Sequence, residues 1–240
     1  MLDALPVIAV TVCSSAGAAG VYYAAYAVRS QWLGPTVWRG RADTGSVSLT
    51  FDDGPSADTE RVLDMLDSHN LRATFFMVGR QVERYPQTAR RVAACGHEIG
   101  NHSYSHPIYL YRSPRGTWRQ LERTQRVIAD VTGVQARFAR PPCGVRTLSY
   151  FRAARVLGLQ TVQWTLAGFD WKKRTPSQIA HDVLRRAEAG SIILLHDGDS
   201  ENLHDRSATV ASLPLIIEGL NEKGIRIAPL SDLIEDSEIK

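Results

Sequence analysis

From Val47 onward, short apolar runs alternate with segments whose apolar positions recur at helical spacing. Val47 to Phe51, Ala73 to Val78, His97 to Gly100, Ala136 to Ala139, Gln160 to Trp164, Ser191 to Leu195 and Ile225 to Ile227 read as strands. Between them, residues 59–70 place Val62, Leu63 and Leu66 on one helical face. Residues 117–133 do the same with Leu121, Val127 and Ile128, and residues 176–190 with Ile179, Val183 and Leu184. Gly133 and Gly190 stand where C-terminal helix caps belong. Strand–helix alternation calls for a parallel sheet, and seven such strands argue for a closed or nearly closed (β/α) barrel.

The polar residues that interrupt this pattern fall at one end of it. Asp52 and Asp53 follow the first strand, His102 and His106 the third. Arg140 ends the fourth, Asp170 trails the fifth and His196 ends the sixth. In a parallel barrel every strand C-terminus opens on the same mouth, where active sites are built. Two adjacent carboxylates at an apolar strand end repel each other unless a cation lies between them. The stretch HSYSH (102–106) supplies two imidazoles four residues apart. If Ser103 to Ser105 form one helical turn, both rings share a face, and Pro107 ends the turn at His106. Two histidines and one carboxylate make a three-ligand site with open positions, the pattern of a catalytic zinc. One aspartate then binds the metal and the other stays free beside it as a base. His97 and Glu98 read as strand or supporting residues without a ligand role, and His69, His181 and His204 have no evident partners.

The beginning of the chain is different. Leu5 to Val28 contains no charged residue, and about 20 apolar residues suffice to cross a bilayer. A cleavable signal is the rival: AYA at 25–27 resembles a cleavage site, but the start MLD lacks a basic n-region. The many small residues leave a packed soluble helix as a third option. We expect a membrane anchor over residues 1–28, an aperiodic linker over 29–45 and a catalytic domain over 46–240. Net charge is only +3, with no concentrated basic face, so no nucleic-acid partner is indicated. Three widely spaced cysteines form neither a disulfide framework nor a CxxC metal site.

Taken together, TFDDGP (50–55), HSYSH, RPPCG (140–144), FDW (169–171) and LLH (194–196) resemble, in order, the five motifs of the polysaccharide deacetylases of the NodB-homology type, carbohydrate esterase family four. The resemblance covers about Ser46 to Ile234. It implies a distorted (β/α) barrel and metal-dependent removal of N-acetyl groups from an amino-sugar glycan. Position by position, it makes Asp52 the general base, Asp53, His102 and His106 the metal ligands, and Arg140 the holder of the base. Asp170 would orient and charge His196, the general acid, while the backbone of Cys143 and the ring of Trp171 meet the substrate. Zinc suits an Asp–His–His site best; cobalt, nickel and manganese are compatible with it.

Two positions depart from the family pattern: Cys143 replaces an aromatic of the third motif, and Ala167 an earlier aspartate of the fourth. Two other functions are weighed beside the polymer deacetylase: a deacylase of a lipid-linked or small amino sugar, and a glycan-binding pseudoenzyme. Sidedness is contested. Arg29, Arg39 and Arg41 follow the apolar stretch and favour a cytoplasmic domain, whereas glycan chemistry favours an anchored domain facing outward, which is our expectation.

Overall fold

The computed structural model describes residues 17, 19–201 and 203–234. Its central strand, β1 (Ser46–Asp52), shows how the sequence sets the architecture. Successive side chains of a strand point to opposite faces. Val47, Leu49 and Phe51 therefore enter the core beneath the helices, while Ser48, Thr50 and Asp52 share the other face. Parallel partners flank β1 on both sides: β2 (Thr74–Met77) and β7 (Ile192–His196), with β8 (Arg226–Ile227) against its first residues. The remaining strands are β3 (Glu98–Asn101), β4 (Phe138–Ala139), β5 (Gln160–Thr161) and β6 (Leu166–Ala167), giving the order β5-β4-β3-β2-β1-β7-β6.

All the ladders are parallel, so the strand C-termini do open on one side. Of the closed or nearly closed barrel expected, the open form is found: among the described residues β5 and β6 remain unpaired with each other, and the sheet is a curled, partly open barrel. β4, β5 and β6 are two residues each, too short to complete a ring of ladder bonds. The short β6 and the helices over residues 79–94, 148–156, 207–222 and 230–234 add to what the periodicity shows.

Helices α1 (Ala57–Ser68), α2 (Gly79–Arg84), α3 (Pro86–Ala94), α4 (Pro114–Thr132), α5 (Leu148–Val156), α6 (Pro176–Leu184) and α7 (Ser207–Glu222) cover the outer face, and α8 (Leu230–Ile234) ends the described chain. Their starts carry ordinary capping chemistry: Ser56, Ser113, Thr147 and Thr175 each accept a backbone N–H of the first turn. Gly133 closes α4 with a left-handed φ of 73°, as its position predicts. Val62, Leu66, Leu121, Ile179, Val183 and Leu213 pack on the outer sheet face. A smaller cluster, Phe76, Phe138, Val162, Ile192, Leu230 and Leu233, fills the inner face. Glu98 is structural, accepting from Thr74 Oγ1 and from the Leu230 and Ser231 amides.

Residues 29–45, aperiodic in sequence, lie along the gap that the sheet leaves open. The Val37 amide donates to the Thr161 carbonyl (2.9 Å) and the Gln163 amide to the Val37 carbonyl (2.7 Å). Thr165 Oγ1 donates to the Trp38 carbonyl, the Gly40 amide to the Gly190 carbonyl and the Arg41 amide to the Leu233 carbonyl. Backbone bonds of this kind leave no hydrophobic period behind. Just upstream, residues 19–26 are helical, and Arg146, fully buried, holds their end. Its amide donates to the Ala25 carbonyl, Nη2 to that of Ala27 and Nη1 to that of Val28. The expected anchor falls mostly on residues 1–16, outside the described residues. Among the described residues no helix is long and apolar enough to cross a membrane.

The packing predicts how the chain tolerates shortening. A chain beginning at Gly20 should melt as the full chain does, whereas one beginning at Ser46 loses the bonds across the gap and should melt several degrees lower. Arg146→Met leaves carbonyls without their donor and should cost about 1–3 kcal/mol in chemical denaturation. Equal melting of the Ser46 chain and the Gly20 chain would contradict this role for residues 29–45.

Candidate active site

Asp52 and Asp53 separate because the strand ends between them. Asp52 is the last residue of β1, paired with His196 on β7, and its side chain shares the inner face with Thr50. Asp53 has a left-handed φ of 74°, which turns the chain and its carboxylate away from the strand. Arg140 follows β4 and reaches under the mouth. Its Nη1 donates to Asp52 Oδ1 (2.8 Å) and Thr50 Oγ1 (2.8 Å), its Nη2 to the Gln163 carbonyl (2.9 Å), and the guanidinium lies 4.1 Å from the centre of the Phe76 ring. Burial pushes Asp52 above the usual carboxylate range, even with Arg140 working against the shift. Such a carboxylate is a stronger base than a solvated one.

The histidines reach Asp53 by a different route from the helical turn expected of HSYSH. Residues 102–106 form an irregular loop in which Ser103 (φ 68°) and His106 (φ 54°) are left-handed. Side chains and neighbouring elements hold the loop there. Asn101 Oδ1 accepts the Ser103 amide, Gln120 Oε1 the amides of Tyr104 and Ser105, and Ser103 Oγ the His106 amide. The amides of Gly79 and Arg80, opening α2, donate to the Ser103 and Tyr104 carbonyls. The two rings end 5.0 Å apart. His106 Nε2 is 3.2 Å and His102 Nε2 3.5 Å from Asp53 Oδ1.

These atoms fit a metal. Asp53 Oδ1 is buried without any hydrogen-bond partner, a costly condition for a carboxylate that nothing else relieves. His102 Nδ1 donates to the Arg140 carbonyl (2.8 Å), so its Nε2 carries the lone pair that faces Asp53. Burial, with His106 beside it, drives His102 down to about 3, so the ring is neutral, as a ligand must be. Asp53, His102 and His106 are the group of the described residues able to hold an ion, with ligand atoms within 4.8 Å of one another.

On the other side of the cavity, Asp170 grips His196 twice: Oδ1 faces Nδ1 at 2.9 Å and Oδ2 accepts the His196 amide at 2.7 Å. Thr209 Oγ1 also donates to Asp170 Oδ2 (2.8 Å). Burial opposes a charged His196, but Asp170 outweighs it and lifts the imidazole to about 9. Trp171 stands edge-on to His196 at 5.4 Å, half exposed. A cavity of about 360 Å³ brings together Asp52, Asp53, His102, His106, His196 and Trp171, along with Cys143. Cys143 is left-handed (φ 54°) and reaches solvent on one side, and partial burial on the cavity side raises its thiol above the ordinary value, with Asp53 and Asp52 adding to the effect.

The structure gives roles to residues that the motif reading left without one. Thr50 and Gln163 complete the Arg140 cradle, Thr209 the Asp170 cradle, and Trp164 and Leu194 line the cavity. Thr50 and Leu194 could have been found from the period of two, since each stands two residues before Asp52 or His196. Asp197 is buried, accepts from Thr59 Oγ1 (2.6 Å) and is pushed up to about 7 by burial. Gly54 is required beside it, because a side chain there would collide with the Asp197 carboxylate. In the loop after His106, Tyr109 is fully buried against Tyr150, while Tyr111 is 81% exposed.

Comparison with known proteins gives the family of this open α/β half-barrel and its metal-competent mouth. Residues 39–162 match the polysaccharide deacetylase family. A peptidoglycan-N-acetylglucosamine deacetylase of Bacillus cereus is 34% identical over 82% of this chain and 71% of its own length. Another, from Listeria monocytogenes, is 35% identical over 78% of this chain, which spans 38% of that protein. Among solved structures, a peptidoglycan N-acetylglucosamine deacetylase superposes with a TM-score of 0.78 at 32% identity, covering 85% of this chain and 95% of its own. A family-four pseudoenzyme from Bacillus anthracis reaches 0.77 at 28% identity, over 84% of this chain and 69% of its own. The chain belongs to the polysaccharide deacetylase family.

The His196–Asp170 pair carries a pH signature. The folded-state value of His196, about 9, lies above the ordinary histidine value of 6.5. The pair's contribution to stability is therefore complete below about 6.5 and is lost as the pH rises through about 9. Asp170→Asn should return the His196 titration, followed by NMR of the imidazole, to a lower pH. An unmoved titration would dissolve the pairing.

Proposed function

We propose that this protein is a metal-dependent N-deacetylase of an N-acetylated cell-wall glycan, with peptidoglycan the leading substrate and zinc the leading metal. The observation that carries the reading is the division of the two aspartates. Asp53 is orphaned toward two histidine nitrogens, whereas Asp52 is clamped by Arg140 out of that role. A metal held by Asp53, His102 and His106 would supply Lewis acidity toward an amide carbonyl, which is otherwise a poor electrophile.

The chain's own residues do the rest. Asp52 Oδ2, the oxygen not bonded to Arg140, takes the proton of the attacking water. Arg140 keeps that carboxylate oriented through the step. The backbone of the Cys143 turn is assigned to the developing oxyanion. An amine leaves only when protonated; Nε2 of His196 delivers that proton, since Nδ1 is committed to Asp170. Trp171 and Trp164 wall the acetyl site. Both members of each acid–base pair are present here, which separates this chain from a binding-only reading even though one structural relative is a pseudoenzyme. The uncharged stretch that begins at residue 5 is assigned to a membrane anchor running up to the packed end of the 19–26 helix, with the domain outside the cell, where the peptidoglycan lies.

Acetate release from N-acetylated peptidoglycan fragments should require metal and stop with a chelator. Asp53→Ala should lose the metal. Asp52→Asn and His196→Ala should keep it and slow turnover by about 10²–10⁴-fold. Equal metal retention in the Asp53 and Asp52 variants would refute the division of labour.

Sidedness has its own test. Protease added to intact cells should digest the domain and spare cytoplasmic proteins. Survival of the domain until the membrane is opened would place it inside, and a lipid-linked or small amino sugar would become the leading substrate.

A further inference from the structure

A second cavity is remote from the catalytic residues and shares no lining residue with their cavity. It is a groove of about 880 Å³ between residues 31–37 and α5, alongside the edge strand β5. Leu33, Pro35, Phe151 and Leu159 make it apolar. Arg152 and Arg155 stand with them, both exposed, and neither side chain has an ion pair or hydrogen bond among the described residues. On α5, Leu148, Arg152 and Arg155 fall at i, i+4 and i+7, one stripe of the helix, with Val156 one turn beyond Arg152. Leu148 is 54% and Val156 70% exposed.

Exposed aromatic rings lie on the segment that leads into this groove from the start of the chain. Trp32, next to Leu33 of the groove, is 69% exposed and meets Tyr23 edge-on at 5.1 Å; Tyr22 and Tyr23 are exposed as well. Tyr22 and Tyr23 lie in the uncharged stretch 5–28, and Trp32 stands four residues beyond it. Tyrosine and tryptophan have one apolar body and one polar handle, which suits them to a water–bilayer boundary. Unpaired arginines beside them suit lipid phosphate.

We infer that this face seats the domain on an anionic bilayer. Tyr22, Tyr23 and Trp32 lie in the headgroup layer, Arg152 and Arg155 bind lipid phosphates, and the groove takes apolar lipid surface. Unpaired cations bordering an apolar groove, directly after an uncharged stretch long enough to span a membrane, favour lipid over a protein partner. The inference rests on the reading of residues 5–28 as an anchor. Through Arg146, which bonds the end of the 19–26 helix and follows the Cys143 turn by two residues, the seat is joined to the catalytic mouth.

The test uses the full chain in detergent, on phosphatidylcholine vesicles, and on vesicles that also contain phosphatidylglycerol. Hydroxyl-radical footprinting reads side-chain exposure. Oxidation of Trp32, Leu148 and Val156 should fall several-fold on the anionic vesicles and recover in R152E/R155E, while Tyr111 stays reactive throughout. Oxidation as fast on anionic vesicles as in detergent overturns the seat, as does protection that appears in detergent when protein concentration rises, which would indicate a second copy. Flotation in high salt reads the anchor separately. A chain that floats yet leaves Leu148 and Val156 unprotected keeps the anchor and loses the seat. A chain that fails to float in high salt but is protected in low salt keeps the seat and loses the anchor.

Discussion

A guanidinium with no exposed surface sits at the centre of this protein. Arg140 is fully buried, and a buried charge is tolerated only when paired and hydrogen-bonded. Asp52, Thr50 and the Gln163 carbonyl take its two Nη groups, the Phe76 ring lies against its face, and only Nε is buried without a partner. Those partners come from β1, from β2 and from the segment after β5, so the ion pair ties the middle of the sheet to its edge. It also explains the adjacent aspartates. One carboxylate neutralises Arg140 and is thereby fixed beside His196, its partner across the β1–β7 ladder. The other, turned out by a left-handed residue, is left facing two histidines. The like charges are separated by geometry: Asp52 faces the Arg140 guanidinium and Asp53 the two imidazoles.

The site was legible in the sequence because its residues occupy strand ends, and strand ends in a parallel sheet converge. The period of two in β1 foretells that Thr50 and Asp52 share a face. The route of the histidines was not legible. Ser103 and His106 adopt left-handed backbone without being glycine, and what holds them there is Gln120 and Asn101, remote or preceding residues whose amide groups carry no signal of that duty. The open barrel, too, lies beyond periodicity, because two-residue strands leave almost no pattern. Residues 29–45 read as a linker for the same reason: their bonds across the gap run mainly through backbone, which every sequence possesses.

The two departures from the family pattern have modest local consequences. Ala167 is buried on β6, and its carbonyl accepts from Arg186 Nη2 at 2.6 Å, so Arg186 bonds the backbone where the family carries an aspartate. Cys143 leaves the cavity wall with a small thiol. Trp164 and Trp171 remain as its aromatic surfaces, and Gly144 is needed because a side chain there would collide with Trp164. Neither change touches Asp52, His196 or their partners.

The most direct test of the central ion pair is a double-mutant cycle on stability, using Arg140→Met and Asp52→Asn. Arg140→Met alone strands a buried carboxylate and should cost about 3–5 kcal/mol in chemical denaturation. Adding Asp52→Asn removes that stranded charge, so the double variant should be more stable than Arg140→Met alone, with a coupling of at least about 1 kcal/mol. Additive losses, with the double variant less stable than either single one, would show that Arg140 and Asp52 do not hold each other and would contradict the account.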